Sequence, residues 1–489
     1  MTSCFSLYSE LFRTVQLSEI FPDQKTFADA IPRIAPEMID QAYLAEKSKP
    51  NFDLKSFVLA NFTLPEYVSG DVLRDDKNRM LPIQEYIENS WTILTRANIV
   101  KDLCDTEIQL PSPFVVPGGR FREMFYWDSY FTALGLVKHK RYDLLFALAN
   151  NCVYFIRQFG YIPNGSRTYF IGRSQVPVFI LIVDLICRYI HHDAWRDYLP
   201  ELETEYAWWM QTHAVQSEGH LLNRYNQAVP QPRPEAYLKD LHVAQDLSLQ
   251  QQKIAFQHLR AACESGWDFS SRWNKDPHNM STIRCADIAP VDLNCLLYLY
   301  ERKFSQWYQH LMNKEKADSY MQKAKARAQA IRTLFYNHEH EFYTDYILQE
   351  GQSSQLTLAG LFPLYVGLAT TDQAHKIIKI IQDKFLYSGG LVTTLFQSGQ
   401  QWDYPNGWAP LQWIAAEAMR IYHANDLSQT IASRFCNLVE TTYQSTGCIL
   451  EKYNVVETQS KPQDGEYEVQ TGFGWTNGVY MALQDHLSS

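Results

Sequence analysis

Apolar positions recur at three- and four-residue spacing along most of this chain, and polar, aromatic, turn-rich segments interrupt them again and again. From Tyr142 to Phe159, Leu144, Leu148, Cys152 and Phe155/Ile156 share one helical face, and Gly160 stops the run. The same spacing predicts helices over residues 178–190, 201–212, 287–311, 314–336, 372–385, 411–423 and 427–444. Strand signals are short, such as the alternation over residues 447–453, and none leads into a phosphate-binding glycine loop. The expected class is all-α, and helices alternating in this number can close into a double ring. Residues 1–48 show mixed polarity and weak periodicity, which marks a peripheral N-terminal segment. No Pro/Ser linker or composition break divides residues 49–489, so they are expected to form a single domain.

Two of the interrupting segments stand out. PGGRFREMFYWDSYF, Pro117 to Phe131, sets two Arg, a Glu and an Asp among the aromatics Phe121, Phe125, Tyr126, Trp127, Tyr130 and Phe131. QWDYPNGWAPLQW, Gln401 to Trp413, places three Trp, an Asp and an Asn around a Pro-Asn-Gly turn. Aromatic faces cover the C–H patches of a sugar ring while charged groups bond its hydroxyls. The two segments are expected to be walls of one sugar pocket.

Composition narrows the class. Hydrophobic residues make up 46% of the 489 and charged residues 20%, which excludes a disordered chain. A formal charge of −10 lacks the basic footprint that phosphate backbones require, so no nucleic-acid partner is expected. The nine cysteines, among them Cys4 and Cys104, are scattered with no CxxC pair, which argues against a disulfide framework or zinc site and for a reducing compartment. The opening residues lack a basic-then-apolar secretory pattern, and the run 176–183 is too short to span a membrane. A cytoplasmic monomer with no membrane partner is expected. The sequon Asn164-Gly165-Ser166 fits this, because a glycan there would fall within the sugar pocket.

HExxH, GxSxG and Walker patterns are all missing, which leaves carboxylates as the chemistry. Glycosidic cleavage needs one carboxylic acid to protonate the leaving oxygen and one carboxylate to activate water or attack carbon. Asp268, between Trp267 and Phe269 in CESGWDFSSRW, is expected to have a raised pKa that suits a proton donor. Glu451, in GCILEKYN, is expected to be held ionised by Lys452 and the phenol of Tyr453. Arg120, Arg173 and Arg233 each lie in a turn beside Pro or Gly rather than on a charged helix face. Trp127, Trp402, Trp408 and Trp475, taken singly, read as core aromatics, and QTGFGWTNGV around Trp475 reads as a loop.

The first and second signature segments, together with ESGWDFSSRW, TIRCADIAPVDLN, EKYN and GFGWTNGV in that order, resemble the trehalase family over nearly everything after about residue 50. The resemblance implies an (α/α)6 toroid that hydrolyses α,α-trehalose with inversion, using two carboxyl groups and no metal or organic cofactor. It places Asp268 as general acid and Glu451 as general base. Substrate contacts fall on Arg120, Phe121, Trp127, Asp128, Asn164, Arg173, Ser174, Gln175, Arg233, Pro234, Glu235, Gly266, Trp402 and Glu466. Relatives carry a glycine-rich run before the GEY element and Asp after EKY, where this chain has VVETQSKPQDGEY and Asn454. Another α-linked disaccharide, or a silent sugar-binding role, are the rival readings, and both retained carboxylates count against silence.

Overall fold

Every side chain from Tyr126 to Val137 is buried, whereas the helix over Lys314–Ala330 buries chiefly alanines and Arg327 and turns a charged face outward. A helix that is apolar all round belongs inside a ring of others, and an amphipathic one belongs outside. That division organises the computed structural model, which describes residues 7–65, 80–97 and 105–488.

Four helices come first: α1 (Glu10–Leu17), α2 (Lys25–Ala28), α3 (Pro36–Glu46) and α4 (Leu54–Asn61). Next come α5 (Ile83–Leu94), α6 (Tyr126–Lys138), α7 (Tyr142–Phe159), α8 (Phe179–Tyr189) and α9 (Trp195–Thr212). They are followed by α10 (Tyr237–Val243), α11 (Leu249–Glu264), α12 (Val291–His310), α13 (Lys314–Ala330) and α14 (Phe362–Tyr365). The chain ends with α15 (Thr371–Ile380), α16 (Ala409–Ile421), α17 (Asn425–Thr446) and α18 (Gly474–Ser488). Around the inner ring α6 packs on α8, α12 on α14, α14 on α16, α16 on α18, and α18 back on α6. The remaining junction, α8 to α12, is tied by the Ile180 amide donating to the Tyr300 hydroxyl at 3.3 Å. Helices α5, α7, α9, α13, α15 and α17 alternate with these along the sequence. The architecture is an (α/α)6 toroid.

Local signals set many helix starts. Ser248 with Gln251 and Thr370 with Gln373 form reciprocal capping boxes at α11 and α15. Helix α9 begins six residues before its expected start and carries Pro200 inside. Helices α13 and α15 each run on into a π-helical turn, Ile331–Phe335 and Ile381–Phe385, which accounts for the longer expected spans. Of the segment expected as a terminal loop, residues 470–473 are non-helical, but Gly474 begins α18, because Trp475 and the residues after it fill the last gap in the inner ring. Strands are two to four residues long, and the longest pairing that touches the site joins Asn406–Trp408 to Lys452–Asn454.

The N-terminal helices build a second apolar cluster from Leu7 to Phe62, which reaches the toroid through Phe125, Phe170 and Tyr237. A buried charge network fastens it there. The Lys25 ammonium contacts Asp29 and, at 3.0 Å, Glu123, while the Tyr169 hydroxyl donates to Asp29 at 2.7 Å. No described helix is long and apolar enough to cross a membrane.

Candidate active site

The segments that run into the N-termini of α6, α8, α16 and α18 converge on one cavity of about 770 Å³. Arg120, Phe121, Trp127 and Asp128 enter it from the first signature, Arg173 and Gln175 from the loop before α8, and Trp402 from the second signature. Arg233, Glu235, Gly266, Asp268, Asn164 and Glu466 complete the expected set that reaches it. Two glycines are required by geometry. Gly118 has φ 129° and its missing Cβ would lie 2.5 Å from the Gly472 carbonyl oxygen, and Gly266 has φ 76° and faces the Trp127 indole at 3.4 Å.

Three expected residues do not line the cavity. Ser174 is fully buried, its hydroxyl donating to the Ile162 carbonyl and its amide to Glu264, so it shapes the loop that presents Arg173. Pro234 offers its carbonyl to the Gln16 side chain at 2.7 Å and tethers the N-terminal segment. Glu451 is fully buried beneath the 470–475 segment. Its amide donates to the Gln470 carbonyl and its own carbonyl accepts from Trp475 Nε1.

The loop that carries Asp268 is held from behind. Arg272 forks onto Asp292 at 2.9 Å through two nitrogens and onto Asp345 at 2.7 and 2.9 Å, while its guanidinium lies over Trp267 and Trp273. Asp403 of the second signature accepts from the Ser270 hydroxyl and the Ser271 amide, both at 2.7 Å. Trp267, Trp402 and Trp408 stack in succession at 5.4 and 3.9 Å. Trp408 is therefore core, as expected, whereas Trp127, Trp402 and Trp475 face the cavity.

Burial pushes the Asp268 carboxyl up to about 7, a lift that Arg233 opposes and Glu466 reinforces. Asp128 is lifted further, to about 8, by burial first and then by the negative charges of Asp268 and Glu451. Burial raises Glu451 above its ordinary value, and the Lys452 ammonium 3.0 Å from its Oε1 opposes that rise without cancelling it, so the expected ionising hold is incomplete. The expected help from Tyr453 is not there, because that hydroxyl accepts from the Leu450 amide instead. Glu451 Oε2 has no hydrogen-bond partner among the described residues.

One connection ties the two carboxylate segments together. Lys452 donates at 2.7 Å to Gln401 Oε1, and the Gln401 amide donates to the Asp268 carbonyl. Sequence alone marks Lys452 only as a neighbour of Glu451 and Gln401 only as the first residue of the second signature. Tyr467 is marked in sequence only as the last residue of the GEY element, yet its ring packs against Lys452 and Arg120, each at 5.1 Å, and against Phe121 at 5.1 Å.

All three expected arginines line the cavity. Arg173 pairs with Glu235 at 2.5 Å, and Arg233 pairs with Asp240 at 2.6 Å and with Glu466 at 2.9 Å. Arg120 lies 3.8 Å from Asp23. Asp23 belongs to a wall that no sequence signal marked, built from Gln16, Glu19 and the residues up to Lys25. Among the described residues no group of three or more His, Cys, Asp or Glu side chains is placed to hold a metal ion. The arrangement can donate a proton from Asp268 and grip hydroxyl groups with three arginines, while Glu451 stands behind the cavity wall formed by residues 470–475.

Comparison with known proteins supplies the family. The trehalase family model matches residues 19–488. A periplasmic trehalase of Salmonella agona (strain SL483) is 42% identical over 98% of this chain and 86% of its own length, and a putative periplasmic trehalase of Salmonella typhi matches equally. Neutral trehalase Nth1 from Saccharomyces cerevisiae superposes with a TM-score of 0.65 at 25% identity, over 77% of this chain and 74% of its own. A GH63 mannosylglycerate hydrolase from Thermus thermophilus shares the fold, with a TM-score of 0.56 at 16% identity over 82% of this chain and all of its own.

The relatives' names overturn the cytoplasmic expectation and point to a periplasmic setting. The structure explains why the sequence misled. Cys152, Cys285, Cys295 and Cys436 are free thiols buried in the core, and a thiol so packed stays unpaired in any compartment. Cys4 and Cys104 lie outside the described residues. Asn164 is itself buried, donating to the Ser174 and Cys263 carbonyls, so its sequon carries no information about compartment.

Proposed function

The chain belongs to the trehalase family, and with that as premise we propose how its residues divide the hydrolysis of α,α-trehalose into two glucose molecules. The reaction inverts the attacked anomeric carbon. Asp268, held near neutrality by burial, gives its proton to the bridging oxygen as the C–O bond breaks. Glu451 takes a proton from the attacking water at Oε2, the oxygen that Lys452 leaves free, when the 470–475 segment that covers it admits that water. The water oxygen bonds to carbon from the opposite face. Arg120, Arg173 and Arg233, with Trp127, Asp128, Asn164, Gln175, Glu235 and Glu466, hold the sugar hydroxyls, while Phe121 covers a ring face and Trp402, stacked between Trp267 and Trp408, presents its edge. Gly266 lets the backbone approach, and Ser174 and Pro234 serve by positioning their neighbours.

The observation that carries this assignment is the chain of contacts from Glu451 through Lys452 and Gln401 to the Asp268 backbone, which fixes both carboxyl segments on one support. We also infer one catalytic domain from residue 49 onward, acting as a monomer, with the first 48 residues as an appended cap. The apolar cluster of that cap continues to Phe62, so the boundary runs through a packed unit.

Proton NMR of purified protein with trehalose provides the test. Inversion at one centre yields α- and β-glucose in equal amounts in the first turnovers, with maltose and sucrose left intact. Initial release of α-glucose alone would sink the mechanism.

A further inference from the structure

A second cavity of about 530 Å³ opens between α9, α13 and the hairpin formed by Ala214–Ser217 and His220–Asn223, and it shares no lining residue with the first. Its volume falls in the range of small-molecule sites, roughly 300–1,000 Å³. We propose that it is a non-catalytic binding site for a neutral polyhydroxylated molecule the size of one hexose.

The chemistry of the wall selects that class. Glu301 is 1% exposed. Its Oε1 accepts from Arg327 Nε at 2.8 Å and from the Tyr206 hydroxyl at 2.9 Å, while its Oε2 has no partner among the described residues. A buried carboxylate oxygen left without a donor is unfavourable, so the site calls for one. Beside it, Arg327 Nη2 has the Met210 sulfur as its acceptor, at 3.2 Å, and a thioether accepts weakly. An unmet acceptor next to an under-satisfied donor suits a hydroxyl group, which donates to one and accepts from the other.

The rest of the lining excludes ions. Lys323 already lies over the rings of Tyr206 and Tyr320, at 5.5 and 4.7 Å, and with Arg327 it would repel a cationic ligand. An anion would meet Glu301 and Glu203, the latter accepting from the Tyr320 hydroxyl at 2.9 Å. Lys323 is exposed, so it can leave the ring faces to the C–H patches of a sugar.

Titration calorimetry of the whole protein with D-glucose tests this. The catalytic cavity holds both hexose units of the substrate, so the wild type is expected to show glucose-binding events beyond those of that cavity. Tyr320→Ala should weaken one of them by at least about tenfold while kcat/KM for trehalose stays unchanged. Glu301→Gln should act in the same direction, and Tyr320→Ala keeps the test decisive if loss of the buried pair with Arg327 prevents folding. No event beyond those of the catalytic cavity in the wild type, undiminished binding in Tyr320→Ala, or binding of choline chloride at this cavity in place of glucose would each overturn the proposal. Crystals at saturating glucose that show water alone there would do the same.

Discussion

Asp268 and Glu451 carry the same functional group into opposite surroundings. Asp268 faces the cavity, held by its backbone, with its nearest strong cation, Arg233, already committed to Asp240 and Glu466. Glu451 is sealed from solvent but has an ammonium of its own at 3.0 Å. Burial lifts both pKa values, so burial alone does not assign the roles. Cation placement does. In the proposed division, the carboxyl whose counter-charge is spent elsewhere is the donor, and the one whose rise a neighbouring lysine opposes is the acceptor.

The strongest way to break this contrast is to remove each group in turn. Asp268→Asn and Glu451→Gln should each lower kcat by roughly 100- to 10,000-fold with the circular dichroism of the fold unchanged. Near-native turnover in either folded variant would end the assignment. Lys452→Met attacks the difference itself. Without the ammonium, burial raises Glu451 against weaker opposition from Gln470 and Arg120 alone, and each unit of rise costs about tenfold in ionised base below its pKa. The acid limb of the pH–rate profile should move upward, so activity at pH 6 falls more than at pH 8; an unmoved limb would mean that Lys452 does not set the base.

Arg233→Lys trades a fork for a point charge and should cost about tenfold to a hundredfold in kcat/KM, given that a hydrogen bond to a charged group contributes about 1.5–3 kcal/mol. Full activity in that variant would remove Arg233 from the substrate's grip. The pH profile of the unaltered protein sharpens the same point, because activity should decline as pH rises through about 7, where Asp268 loses its proton. A plateau extending past pH 9 would contradict an acid at that position.

The smallest expected effect is on stability. The folded pKa of Asp268 is raised above its ordinary value of 3.8 to about 7, so the folded state binds the proton more tightly and wild-type stability falls as pH rises between those values. Asp268→Asn should therefore show a higher Tm than the wild type above pH 7, with the gap closing toward pH 4. A pH-independent gap would show that the burial penalty has been misread.

The site was legible to the extent that its residues sit in compositionally unusual stretches. Arg120, Arg173, Arg233 and Asp268 stand beside Gly, Pro or Trp, and those local signals mark turns that carry chemistry. Lys452 and Gln401 are ordinary residues in a quoted motif, and nothing local shows that one would bridge to the other. The N-terminal wall was invisible for the same reason. Gln16 and Asp23 belong to a segment of weak periodicity, and their value comes from the Lys25, Asp29 and Glu123 network that holds the segment against the cavity. The reading of the tail as a loop failed because glycines and Asn477 weigh against a helix on their own, whereas close packing of Gly478 on the Phe131 backbone requires a residue without a side chain.

By itself the sequence determined where α7, α8, α12, α13, α15, α16 and α17 run, and which segments hold the carboxylates and arginines, because those properties depend on neighbours three or four positions away. Tertiary structure alone decided that Trp408 is core while Trp402 is wall, that Glu451 is sealed and Asp268 open, and that the first helices close one side of the cavity. Each of those outcomes depends on ring closure, which brings α18 against α6 and sets burial and charge separation through contacts that no local pattern encodes.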